Sequence, residues 1–162
     1  MNESLGNNDG FEGVPVFTLR KATNEDLNFL FKVSSEAMKP VREALSPERD
    51  SEEQRLEKFQ QNFDPDKIEI IQYQGKDIGR LRVVRTPTSI YVGGIQILPE
   101  FQRKGVGTAL FKELIQESKQ TGIPIDLEVH DVNENARHFY EELGFLEVGK
   151  KESQTVMRFS PR

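Results

Sequence analysis

Two hydrophobic periods, one helical and one strand-like, alternate along this chain, and the places where they switch lay out its elements. Over Val106–Thr121, the residues Val106, Leu110, Phe111, Leu114, Ile115 and Ser118 recur every third or fourth position, which predicts an amphipathic helix. Gly122, with Pro124 beyond it, ends that helix. Ile125, Leu127 and Val129 then alternate with Asp126, Glu128 and His130, the pattern of a half-buried strand. A helix over residues 133–143 closes at Gly144, and strands over 145–150 and 155–159 follow.

The first half reads less sharply. Residues 16–20 form a strand, and Thr23 with Asp26 makes a capping pair for a helix through Leu27, Leu30, Phe31 and Val33. Pro40 and Pro47 bracket a linker, and residues 51–62 form a second short helix. Strands over 68–73 and 77–84 join through Gln74-Gly75, a hairpin signal, and a turn at 86–88 leads into a strand over 89–98. The order β-α-α-β-β-β-α-β-α-β-β predicts an α/β fold of one mixed sheet with helices on its faces. Residues 1–13, rich in Asn, Gly and acids, read as a loose tail, and 14–162 as one domain without internal repeats.

Composition narrows the chemistry. The 162 residues suffice for one domain with a core, and 35% hydrophobic with 30% charged residues describes a folded soluble protein. No apolar run is long enough to span a bilayer and the N-terminus lacks a signal-peptide pattern, so the expected location is the cytoplasm, with no membrane partner. Cysteine is absent, which excludes disulfides, thiolate metal sites and a cysteine nucleophile. The histidines lack metal-ligand spacing, and no metal is expected. A net charge of −5 argues against nucleic acid. Acids outnumber bases eight to three over residues 43–66, which is either a solvated helical face or a rim that attracts cationic acceptors.

The run Gln102-Arg103-Lys104-Gly105-Val106-Gly107 lies between the strand over 89–98 and the helix that follows. A glycine-loosened strand-to-helix loop presents free N–H groups at the positive end of the helix dipole, so it suits a phosphate or pyrophosphate. It lacks the lysine that a P-loop places after its last glycine, and Leu110 stands where a dinucleotide fingerprint needs a third glycine. What remains is a cradle of amides from Arg103 to Thr108, or a plain turn into a helix.

A second constellation follows at residues 133–145. Asn133, Ala136 and Tyr140 fall on one helical stripe, which offers an amide, a small residue and a phenol to a slender polar chain. The same residues also suit an N-cap and a core-facing side with Phe139 and Leu143.

Taken together, the two motifs resemble the GNAT superfamily of acyl-CoA-dependent N-acyltransferases. Residues 97–107 resemble the family's strand end and pyrophosphate loop, Gln/Arg-x-x-Gly-x-Gly/Ala. Leu127-Glu128-Val129 with Asn133, Ala136, Phe139-Tyr140 and Gly144-Phe145 resembles its later motif. The likeness is specific over about residues 90–145, and the first half agrees in element order only. It implies a mostly antiparallel mixed sheet whose central parallel strands, 89–98 and 125–130 here, splay to admit acetyl-CoA. Ile95 and Ile97 would pair with the pantetheine arm. Gln102, Arg103, Lys104, Gly105, Val106, Gly107 and Thr108 would hold the pyrophosphate, and Asn133, Ala136 and Tyr140 would contact the arm from the other side. Gly93-Gly94 inside a strand marks a bulge or close approach, or simply a weak strand.

The implied reaction is direct attack of a primary amine on the thioester, the amine belonging to a small molecule or to a peptide or protein. The Ile97 N–H would polarise the thioester carbonyl and Tyr140 would act as general acid. At pH 7 roughly one lysine amine in two thousand is neutral, so such an acceptor needs a base. Glu128 is the candidate, since some ribosomal-protein alanine N-acetyltransferases place a glutamate in a similar Leu-Glu-Val setting. It is equally a solvated strand residue, with a water chain as the alternative base. The strand over 89–98 offers only Gln96 where other branches carry an acid. An acyl-CoA-binding regulatory module without turnover is the second reading. The acceptor's identity and the oligomeric state stay open, a homodimer included.

Overall fold

The computed structural model describes residues 16–45 and 50–161, and among them seven strands and five α-helices follow one another. The expected tail over 1–13 and Pro47 lie outside the described residues. The strands form one mixed sheet in the order β1-β2-β3-β4-β5-β7-β6, mostly antiparallel with β4 and β5 as the parallel pair. Among the described residues no helix is long and apolar enough to cross a membrane.

Contacts group the chain into two compact units: the chain through Arg82 with Gly94–Leu110, and Val83–Gly93 with the chain from Phe111. In the first, β1 (Phe17–Lys21), β2 (Glu69–Tyr73) and the start of β3 (Lys76–Arg85) pair antiparallel, Phe17 opposite Tyr73 and Ile70 opposite Arg80. Gln74 and Gly75, both at positive φ, make the expected hairpin turn. Ala22, Leu30, Ile68 and Ile70 form a buried cluster on one face. Phe29 of α1 (Leu27–Ala37) and Phe59 of α3 (Glu52–Gln61) cover it, and Phe31 meets Phe59 edge-on at 5.6 Å between ring centres. Each such aromatic pair contributes about 0.5–1.5 kcal/mol beyond the area it buries.

Thr23 and Asp26 cap each other reciprocally, as their spacing predicts, and Ser51 with Gln54 does the same for α3. One helix departs from expectation. The segment around Pro40 is α2 (Lys39–Leu45), not a linker. Pro40 stands in its first turn, where the missing N–H would have had no helical partner in any case.

In the second unit, β4 (Ile90–Ile97) pairs with β5 (Ile125–His130) in parallel, from Ile90↔Ile125 to Val92↔Leu127. β5 pairs antiparallel with β7 (Gln154–Phe159), which pairs with β6 (Leu146–Lys151). Ile125, Leu127 and Val129 are buried on one side, so the alternation read from the sequence is the alternation of the sheet. Phe111 of α4 (Val106–Thr121) centres an aromatic cluster, edge-on to Phe139 and Tyr140 of α5 (Glu134–Leu143) and to Phe145.

Candidate active site

The far end of β4 is fixed by two hydrogen bonds of opposite direction. Leu98 N–H donates to Ile78 O of β3 at 2.8 Å. In an antiparallel ladder successive residues point their N–H and C=O to opposite edges, so the backbone groups of Ile95 and Ile97 are directed away from β3. The Gln102 side chain confirms that polarity by donating from Nε2 to Ile97 O at 2.8 Å. Gly79 lets the strands come this close, because a Cβ at that position would strike the Gln96 carbonyl oxygen.

Beyond Leu98, a turn of 3-10 helix over Pro99–Phe101 delivers the chain to Gln102. Arg103 and Gly105 then take positive φ values of 62° and 85°. Left-handed residues in such a turn rotate neighbouring N–H groups toward one concave side, the geometry of an anion nest. Ala109 N–H donates to Gly105 O at 2.9 Å, so Gly105 is the N-cap of α4 and the N–H groups of Val106, Gly107 and Thr108 have no helical partner. The 3-10 turn after Thr23, α3 and α5 all carry side-chain caps, from Thr23, Ser51 and Asn133. The glycine that opens α4 has no side chain to cap with. Gln102, Arg103, Lys104 and Gly105 are exposed, so two cationic side chains flank this open helix end.

Helix α5 holds the second set. Asn133 Oδ1 accepts from Ala136 N–H at 3.3 Å, which leaves the Asn133 Nδ2 amide to donate elsewhere. Cap and ligand contact can therefore be carried by one side chain. Tyr140 is ringed by Phe111 at 5.4 Å, Phe139 at 5.5 Å and Phe145 at 5.7 Å. Burial pushes its phenol up to about 12. The Tyr140 hydroxyl has no hydrogen-bond partner among the described residues.

Glu128 points away from Leu127 and Val129, as alternation requires, and receives Lys151 Nζ at 2.9 Å. That bond raises the lysine's pKa. Two residues earlier on the same side of β5, Asp126 accepts from Arg158 Nε and from Ser89 Oγ, both at 2.6 Å. His130 Nε2 lies 3.3 Å from the Gln154 amide, and its Nδ1 is buried without a partner. Among the described residues no cluster of His, Asp and Glu could hold a metal ion.

Of the acid-rich stretch, Glu52 and Glu53 line a groove of about 400 Å³ between α1 and α3, with Glu36, Lys32, Phe31 and Leu56. The sequence reading missed Gly79 and Arg80. A glycine inside a strand was the available signal for close approach.

Residues 34–145 match the model of the Acetyltransferase (GNAT) family, more than half of the chain, and the chain belongs to that family. No curated protein sequence matches it. Its fold is similar to that of PaiA N-acetyltransferase from Thermoplasma acidophilum, solved in complex with coenzyme A. The TM-score is 0.69 at 21% identity, over 89% of this chain and 98% of that one. A ribosomal-protein alanine N-acetyltransferase from Escherichia coli gives a TM-score of 0.61 at 22% identity, over 89% of this chain and 93% of that one. A GNAT-family acetyltransferase from Listeria monocytogenes gives 0.62 at 14% identity, over 90% and 95%.

Proposed function

We propose that this protein moves an acetyl group from acetyl-CoA directly to a primary amine, without an acyl-enzyme. The observation that carries this reading is the open N-terminus of α4, where Arg103 and Gly105 at positive φ precede three amides free of helical bonds. Those amides, with Gln102, Arg103 and Lys104, hold the pyrophosphate. Each such contact contributes only about 0.3–1 kcal/mol, so the set acts together.

The backbone groups of Ile95 and Ile97 that face away from β3 take the pantetheine arm as an added strand would. By the family resemblance, Asn133 and Ala136 serve the same arm. The neutral amine attacks the thioester carbon, and the Ile97 N–H accompanies the oxygen as it gains charge. One such donor supplies about 3 kcal/mol of transition-state stabilisation. The tetrahedral adduct then expels the thiolate, and the proton lost by the nitrogen ends on sulfur.

Tyr140 serves the departure of sulfur. A thiol near pKa 8.5 is the stronger acid, so a phenol near 12 does not surrender its proton at equilibrium. It donates a hydrogen bond that strengthens as sulfur gains charge, and it stays protonated across the working pH range. Glu128 is the base if Lys151 releases it, or if the pair relays the proton together.

That pairing also favours the second reading, a coenzyme A-binding module without turnover, because the candidate base is engaged. Thiol release from acetyl-CoA over a panel of α-amines, lysine peptides and polyamines separates the two. Release that depends on the amine supports transfer. Tight acetyl-CoA binding with no release above background supports the module.

A further inference from the structure

Arg80 carries a positive charge that nothing in the described chain neutralises. It lies opposite Ile70 in the β2–β3 register, so it projects to the face where Ala22, Leu30, Ile68 and Ile70 pack under α1 and α3. Its Nε is shut off from solvent without a hydrogen-bond partner, and none of its nitrogens donates to a described residue. Among the arginines of the sheet, Arg20 is met by Asp26 and Asp77, Arg85 by Glu117 and Arg158 by Asp126, while Arg82, two residues further along β3, meets no acid among the described residues and adds its own charge to that of Arg80. Arg55 also has a buried Nε without a partner, yet it donates from Nη1 to the Asp50 carbonyl.

Burial lowers the pKa of Arg80, and the charge of Arg82 adds to the effect. A guanidinium nevertheless remains protonated at neutral pH, so the charge is real and wants an anion. The guanidinium reaches β4 at Gly94, where the missing side chain leaves room for it: a Cβ there would stand 3.0 Å from Arg80 Nη2. Close by on β4, Gln96 Oε1 is a buried acceptor without a donor. The guanidinium of Arg80 thus lies against Gly94, two residues before Gln96 on the same strand. An unmet donor fork and an unmet acceptor thus serve the same stretch of β4, and Gln96 stands between Ile95 and Ile97, to which the thioester end of acetyl-CoA is assigned above.

We propose that Arg80 binds a carboxylate of the acceptor while Gln96 receives an N–H of its amine, so that the preferred acceptor is a free amino acid with both groups on one carbon. The inference rests on the transfer reading and names its substrate class. A planar guanidinium matches a carboxylate with two parallel bonds, which a lysine at this position cannot do. A peptide α-amine lacks the carboxylate on that carbon and is disfavoured.

The test compares each L-amino acid with its own amide, using thiol release from saturating acetyl-CoA. The wild-type protein is expected to prefer the acid by about tenfold or more in kcat/KM. Arg80→Gln brings that ratio to about one and leaves the KM for acetyl-CoA unchanged, while Arg80→Lys restores it only in part. Equal use of acid and amide by the wild-type protein overturns the proposal without needing any variant. If no amine is turned over, calorimetric titration of the coenzyme A-loaded protein with N-acetyl-amino acids and their amides decides it separately from the transfer reading. Binding of the acids alone, lost in Arg80→Gln, supports the site. Binding of neither, or of both equally, overturns it.

Discussion

Lys151 Nζ lies 2.9 Å from Glu128 Oε2, with the carboxylate mostly buried and the ammonium mostly exposed. The strongest candidate for the base therefore has a partner that must be displaced or must share its proton. A general base contributes typically about 10²–10⁴-fold. Glu128→Gln is expected to lower kcat for lysine-like acceptors within that range. Lys151→Met, which frees the carboxylate, keeps most of the wild-type kcat. An unchanged kcat in Glu128→Gln moves the base to a water chain.

Tyr140 supplies a prediction with a definite sign. Burial raises its phenol to about 12, so the protonated form persists as pH rises and is lost only on approaching that value. Tyr140→Phe should lower kcat by about ten- to a hundredfold, by a constant factor between about pH 7 and pH 10. A loss that grows steeply with pH over that interval means the phenol titrates there, contrary to its setting.

The loop before α4 is tested through the cofactor's own parts. Gly105→Ala forces a side chain into φ of 85°, at a cost of about 1–2 kcal/mol. Its expected effect is a raised KM for acetyl-CoA with kcat little changed at saturation. Acetyl-pantetheine, which has no pyrophosphate, should be used equally by the variant and the wild-type protein. Equal weakening toward both donors points to a general distortion instead.

Arg20 joins Asp26 and Asp77, each at 2.8 Å, in the first unit. Hydrogen bonds from Arg20 hold Asp26 below the usual carboxylate range, and for Asp77 the bonds from Arg20 and Gln72 outweigh an opposing effect of burial. Both carboxylates have depressed folded values, so their stabilisation is complete above the unfolded value near 3.9 and fades as pH falls through the folded values. Arg20→Met should cost about 2 kcal/mol in denaturant titrations at neutral pH. The gap from wild type should narrow as pH falls below the unfolded value and through the depressed folded values, and a gap that does not narrow assigns the loss to packing.

How far the sequence spoke depends on the range of the interaction. The helix over Val106–Thr121 and the strand over Ile125–His130 have the bounds that periodicity and Gly122 predicted, because local burial patterns decide them. Helix α2 was hidden because Pro40 looks like a breaker when its place in a first turn is unknown. The pair Lys151–Glu128 and the stacking of Arg80 over Gly94 were out of reach, since strand register alone brings those residues together. Asn133 was legible as the cap of α5, because it stands just before the helical run and its amide oxygen can reach back to a free N–H.

The most direct test of the account is thiol release from acetyl-CoA by the purified protein in the presence of free amino acids, followed by mass analysis of the acceptor. The expected result is release that requires both substrates and an acceptor heavier by one acetyl group on its nitrogen. Acetyl-CoA that binds tightly yet stays intact with every amine supplied would contradict it.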